Sequence, residues 1–227
     1  MFCFYPGLII GGLILKVLIV GGGPVHLPQL ERELMAKPDL VIAVDYGGSY
    51  FDEMGILPQV LLGDFDSLSK TVLSQMAASD VEIISFPTHK DYTDLELALD
   101  FALTKEPEEI RILGGLGNRL DHTLGNIGML VKPLSKGVKA HLLDEFHDIF
   151  LISDFIRIRN NPGWAISLIP LSQKVTGVTT TGLLYPLTNA ELYLDSGRGL
   201  HNEFTEETAS IKVHEGTLII VCFQEAQ

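Results

Sequence analysis

The chain has 227 residues, 46% of them hydrophobic, and a formal net charge of −13. That length and apolar content predict one or two folded domains and exclude a disordered chain. The acidic balance and the lack of any Lys/Arg-rich run exclude a general nucleic-acid binder. Cys3 and Cys222 have no Cys-x-x-Cys spacing, so a zinc site is not expected and both read as thiols of a reducing cytoplasm.

In chain order, residues 1–15 form an apolar extension interrupted by glycines and Pro6. No basic segment precedes it, which argues against a signal peptide. The run 16–20 followed by Gly21-Gly22-Gly23-Pro24 reads as a buried first strand and its loop, so no membrane span is expected. Further apolar runs fall at 40–44, 59–62, 81–86, 109–113 and 138–143. Helical patterns lie between them at 28–36, 47–54, 69–78, 93–104 and 121–131. This alternation predicts an α/β domain over 16–146, with an open, mostly parallel, Rossmann-like sheet and ligands outside the carboxyl ends of its strands. Residues 147–227 read differently, with short β-branched runs at 149–152, 155–158, 164–169, 174–179, 191–194, 209–213 and 218–222 and turn residues between them. They predict an all-β sandwich or barrel, with the boundary between Asp144 and Phe150.

Three segments carry carboxylates to the places where helices should begin. In Gly63-Asp64-Phe65-Asp66-Ser67, extended alternation would turn Asp64 and Asp66 the same way, to hold Mg²⁺ with Phe65 facing the core. The competing reading is a turn in which Asp66 or Ser67 caps the next helix. In Lys90-Asp91-Tyr92-Thr93-Asp94-Leu95-Glu96, Thr93 and Glu96 have capping-box spacing. Lys90, Asp91 and Asp94 suit phosphate and metal at a helix start. In Gly114-Gly115-Leu116-Gly117-Asn118-Arg119-Leu120-Asp121-His122, the glycines allow close approach to a ligand and Arg119 offers a fork for phosphate. Asp121 could cap its helix, orient Arg119 or accept a proton, and His122 reads as a helix-start residue more readily than as a catalyst. Neither the Gly-x-Gly-x-x-Gly nor the P-loop spacing occurs.

The order of these segments resembles the thiamine pyrophosphokinase (thiamine diphosphokinase) family. The match includes Gly21 to Pro24, Val44-Asp45-Tyr46-Gly47-Gly48, the three acidic segments, Gly182 to Leu187 and Asn202-Glu203-Phe204. The resemblance implies transfer of diphosphate from ATP to the hydroxyl of thiamine, releasing AMP with Mg²⁺. It also implies a homodimer with active sites at the subunit interface. On this resemblance Asp64, Asp66 and Asp94 hold Mg²⁺ and, with Arg119 and Asp121, are catalytic. Gly22, Gly23, Asp45, Lys90, Asp91, Thr93, Gly115 and Arg119 serve the nucleotide. Asp121, Tyr185, His201 and Asn202 serve thiamine, with core packing the competing reading for Tyr185. Tyr46 departs from the family's glycine, His201 from a small hydroxyl residue, and residues 1–15 have no counterpart. The competing functions are a pyrophosphokinase for another alcohol, such as a hydroxymethylpterin, and a nucleotide- or thiamine-binding regulator.

Overall fold

The computed structural model describes residues 15–88 and 91–224 and divides into two compact units, meeting at Glu145 and Phe146. The expectations for residues 1–14, His89 and Lys90 lie outside the described residues.

The first unit alternates strand and helix. Its elements are β1 (Lys16–Val20), α1 (Leu27–Met35), β2 (Leu40–Val44), α2 (Gly47–Met54), β3 (Val60–Gly63) and α3 (Lys70–Ala77). They continue with β4 (Glu82–Ser85), α4 (Asp94–Leu103), β5 (Glu109–Leu113), α5 (Leu120–Met129), α6 (Val131–Ser135) and β6 (Lys139–Leu143). The strand order is β6-β5-β1-β2-β3-β4, and every pair is parallel. Strands covered on both faces must be apolar throughout. Accordingly, all of β3 and all but the first residue of β1 and of β2 are buried, whereas β4, at the edge, has no buried residue. Leu30, Phe51, Val72 and Met76 from the helices pack on Leu18, Ala43 and Leu61 of the sheet.

Caps and turns set the boundaries. Ser69 Oγ accepts from Val72 N at 3.2 Å, so α3 is capped by Ser69 and not by Asp66 or Ser67. Thr93 caps α4 through Glu96 N at 3.2 Å, but the Glu96 carboxylate pairs with Lys132 Nζ at 2.8 Å, so its role is that of an ion-pair partner. Gly55, in the left-handed conformation, ends α2. A buried charge cluster ties α1 to β5. Arg111 donates Nε to Glu33 Oε2 at 2.5 Å and Nη2 to Oε1 at 2.9 Å, and it also reaches Glu109.

The second unit is built of strands among its described residues. β7 (His147–Ile152), β8 (Phe155–Arg159), β9 (Trp164–Pro170), β10 (Lys174–Thr181), β11 (Ala190–Tyr193), β12 (Asn202–Glu203), β13 (Thr208–Lys212) and β14 (Leu218–Gln224) are antiparallel. They run in the orders β12-β9-β14-β7 and β11-β10-β13-β8. Burial alternates along β11 and β13, and both layers feed one core that contains Ile166, Leu168, Val178, Leu192, Ile211 and Ile220. That shared core makes the unit a sandwich.

Candidate active site

The carboxyl ends of β1, β2 and β5, with the start of α4, enclose a cleft of about 650 Å³ within the α/β unit. Asp45 follows β2, Asp64 follows β3 and Asp94 opens α4. A carboxylate oxygen from each lies within 4.8 Å of the other two. The set differs from the expected one, because Asp45 joins Asp64 and Asp94 while Asp66 stands outside. The reason is local backbone geometry. Gly63 has φ +149° and Phe65 φ +62°, so the segment is not extended and the alternation of side chains fails. Asp66 is exposed, and its N–H donates to Asp64 Oδ1 at 3.1 Å.

Gly63 is also what admits Asp45. A Cβ there would stand 1.8 Å from Asp45 Oδ1. That oxygen accepts from Phe65 N at 3.1 Å, and Asp45 itself has φ +47°. Burial pushes the Asp45 carboxyl from 3.8 up to about 6. The Phe65 hydrogen bond opposes this, and the charges of Asp94 and Asp64 add to it. Three carboxylates arranged like this repel one another and gain from a shared cation, so the donor set fits a hard divalent ion such as Mg²⁺.

The glycines serve the protein before any ligand. Gly21 N donates to Leu113 O at 2.8 Å and Gly23 N to Gly114 O at 3.1 Å, which lays the β1 and β5 loops backbone against backbone. A Cβ on Gly23 would meet Gly114 O at 2.5 Å. Gly22, Gly23, Gly115 and Thr93 all line the cleft. Asp91 is exposed and is not among the lining residues.

Arg119 also lines the cleft. It is the N-cap of α5, and its guanidinium donates Nε to Asp121 Oδ1 at 3.2 Å and Nη2 to Oδ2 at 2.5 Å. This pairing holds the Asp121 carboxyl below its ordinary range, chiefly through the Arg119 hydrogen bond, and raises Arg119 in turn. The contact that Asp121 makes is the one with Arg119. His122 lines the cleft with Thr123 and Asn126, which sequence reasoning missed. Asn126 Nδ2 donates to Gly115 O at 2.7 Å, and its spacing of seven from Arg119 on a helical pattern was the only signal available.

In the sandwich unit, Tyr185 is 64% exposed, which rules out core packing for it. Asn202 is buried. Its Oδ1 accepts from Tyr185 N and Glu203 N, both at 3.0 Å, and its Nδ2 donates to Tyr185 O at 2.8 Å. Asn202 thus fixes the backbone that carries Tyr185. His201 has φ +52°, donates its N–H to Ser167 Oγ at 2.9 Å and sets its ring edge-on to Phe223.

Carboxylates, glycine loops and an arginine gathered beyond the carboxyl ends of a parallel sheet make an α/β unit whose chemistry suits phosphate ligands. The thiamin pyrophosphokinase catalytic domain matches residues 32–142, and the thiamin pyrophosphokinase vitamin B1 binding domain matches residues 155–218. The thiamine pyrophosphokinase of Bacillus subtilis is 34% identical over 205 residues, 89% of this chain and 96% of that protein. Thiamine pyrophosphokinase 1 of Oryza sativa is 33% identical over 212 residues, covering 82% of this chain and 80% of its own. The crystal structure of the Bacillus subtilis enzyme superposes with a TM-score of 0.83 at 32% identity, over 93% of this chain and all of that one. The chain belongs to the thiamine pyrophosphokinase family.

Proposed function

We propose that the protein transfers the diphosphate group of ATP to the hydroxyl of thiamine, giving thiamine diphosphate and AMP. The observation that carries this is the joint presence of both family domains with the Asp45, Asp64 and Asp94 cluster beside the cleft. On this reading Asp45, Asp64 and Asp94 hold Mg²⁺, with Asp66 adding negative charge on the same loop. The ion would neutralise phosphate charge as it builds up. Arg119 binds phosphate oxygens, and Asp121 keeps its fork turned into the cleft. The backbone N–H groups at the start of α4, which Thr93 caps, face the same anion. Gly22, Gly23 and Gly115 let the nucleotide lie close to the loops. Lys90 and Asp91 belong to the proposed nucleotide side as well.

In the transfer, the hydroxyl oxygen of thiamine bonds to the β-phosphorus as the bond from that phosphorus to the α,β-bridging oxygen breaks. AMP leaves, and the hydroxyl proton is released. Such chemistry depends on position and charge neutralisation more than on covalent help from the protein. Tyr185 presents an exposed ring to a flat cationic ligand, and Asn202 holds it. His201, next to Asn202, belongs to the same side.

We also infer a homodimer, the arrangement implied by the family resemblance, and a cytoplasmic location, from the reading of both cysteines as free thiols. Light scattering tests the dimer. Among the described residues, no helix is long and apolar enough to cross a membrane. The test of the reaction is product identification by mass after incubation with ATP, Mg²⁺ and thiamine. AMP and thiamine diphosphate in equal amounts support the reading. ADP with thiamine monophosphate, or no thiamine product, overturns it.

A further inference from the structure

We propose that Tyr46 is the wall on which the base of the nucleoside triphosphate stacks, and that it makes the chain prefer purine nucleotides. This rests on the activity proposed above.

Tyr46 lines the cleft between Asp45 and Gly22 and is 45% exposed, although it sits only five residues from the fully buried Phe51. Exposure alone would mean little. The constraint on the ring is what matters. Tyr50 meets it edge-to-face, with centroids 5.6 Å apart and planes at 89°. The Tyr50 hydroxyl donates in turn to Gly23 O at 2.9 Å. The backbone of Tyr46 is fixed as the N-cap of α2, with its carbonyl accepting from Ser49 N at 2.8 Å. Gly22 lets the Tyr46 backbone and Cβ sit close against the loop, because a Cβ there would lie 3.3 Å from Tyr46 Cβ. Two aromatic rings are thereby tied to the glycine loop, and the outer one is offered to the cleft.

A ring held in this way loses little entropy when a second flat group lies against it. The charged ends of the cleft are already assigned. The phosphates turn toward the carboxylate cluster with its cation and toward Arg119, which leaves an uncharged aromatic wall for the base. A purine covers more of a phenol face than a pyrimidine does, so the wall discriminates between them by overlap.

Equilibrium binding of ATP, GTP, UTP and CTP to the full chain, with Mg²⁺ and without thiamine, tests the assignment. The wild type should bind ATP and GTP a few-fold tighter than UTP and CTP, because stacking accepts every base and discriminates only by overlap. Tyr46→Ala should weaken the purine nucleotides about tenfold and level the series, while Tyr46→Phe stays within about twofold of wild type. Tyr46→Leu, which keeps bulk but loses the π face, should behave like Tyr46→Ala, and thermal melts should show all three folded. The thiamine KM should not move. Unchanged ATP affinity in Tyr46→Ala overturns the proposal, as does a loss in Tyr46→Phe equal to that in Tyr46→Ala or a loss confined to thiamine. A wild type that binds none of the four nucleotides overturns the activity reading, and the stacking wall with it.

Discussion

Replacing Asp45 with asparagine separates the carboxylate cluster as a source of strain from the cluster as a cation site. In the metal-free fold, burial raises Asp45 from 3.8 to about 6. A carboxyl whose folded value is raised binds its proton more tightly in the folded state. Its contribution to stability is therefore complete below 3.8 and disappears as the pH rises through about 6. That difference corresponds to roughly 3 kcal/mol without screening, and because Asp45 is only half-buried the expected size is about 1–2 kcal/mol. The asparagine side chain would still accept from Phe65 N through its amide oxygen but would bring no charge. In EDTA near neutral pH, Asp45→Asn should therefore be more stable than wild type by about that amount, and the difference should vanish below about pH 4. Saturating Mg²⁺ should reverse the order, since a ligand at about a hundred times its Kd adds roughly 2.7 kcal/mol to the form that binds it. Urea titration followed by helical circular dichroism measures this directly, because every described helix lies in the α/β unit. A variant less stable than wild type at every pH in EDTA, or one stabilised by Mg²⁺ as strongly as wild type, would refute the reasoning.

Four further outcomes follow from the same geometry. Gly63→Ala places a methyl 1.8 Å from Asp45 Oδ1 at a backbone φ of +149°, so it should lower stability and abolish Mg²⁺-induced stabilisation, read by thermal melts with and without the ion. Arg111→Met strands the buried Glu33 and Glu109 and should cost about 3–5 kcal/mol of unfolding free energy, whereas changing Arg111, Glu33 and Glu109 together to apolar residues should recover most of it. Arg119→Lys loses the planar fork to Asp121 and to phosphate, so kcat should fall at least about tenfold with the melting temperature unchanged. Asn202→Ala releases Tyr185, and steady-state kinetics should show a higher KM for thiamine with the KM for ATP near its wild-type value.

Periodicity made the α/β layout legible because parallel strands must be apolar on both faces. The runs 40–44 and 109–113 coincide with β2 and β5, and 47–54 coincides with α2. The short helix α6 was missed because Pro133 sits inside its only turns, and β12 because two residues carry no period. The site was legible as composition and not as geometry. The left-handed Phe65 and the unusual φ of Gly63 are invisible in a string of letters, so Asp66 was placed with Asp64 while Asp45 was placed with the nucleotide. Asn202 was recognised as a residue type, but only the fold shows its amide engaged by the backbone of residues 185 and 203. Likewise, the glycines of the β1 and β5 loops read as room for a ligand, and their first use proves to be room for each other.

The central claim is that a cation held by the acidic cluster serves diphosphate transfer to thiamine. Asp64 and Asp94 are common to the set expected from the sequence and to the observed cluster. Thiamine-dependent AMP release, measured against free Mg²⁺ for wild type and Asp64→Asn, tests the claim most directly. Wild type should turn over and saturate with Mg²⁺, while Asp64→Asn, folded to the same melting temperature, should fall at least about a hundredfold. Asp64→Asn turnover and Mg²⁺ dependence equal to wild type would contradict the account.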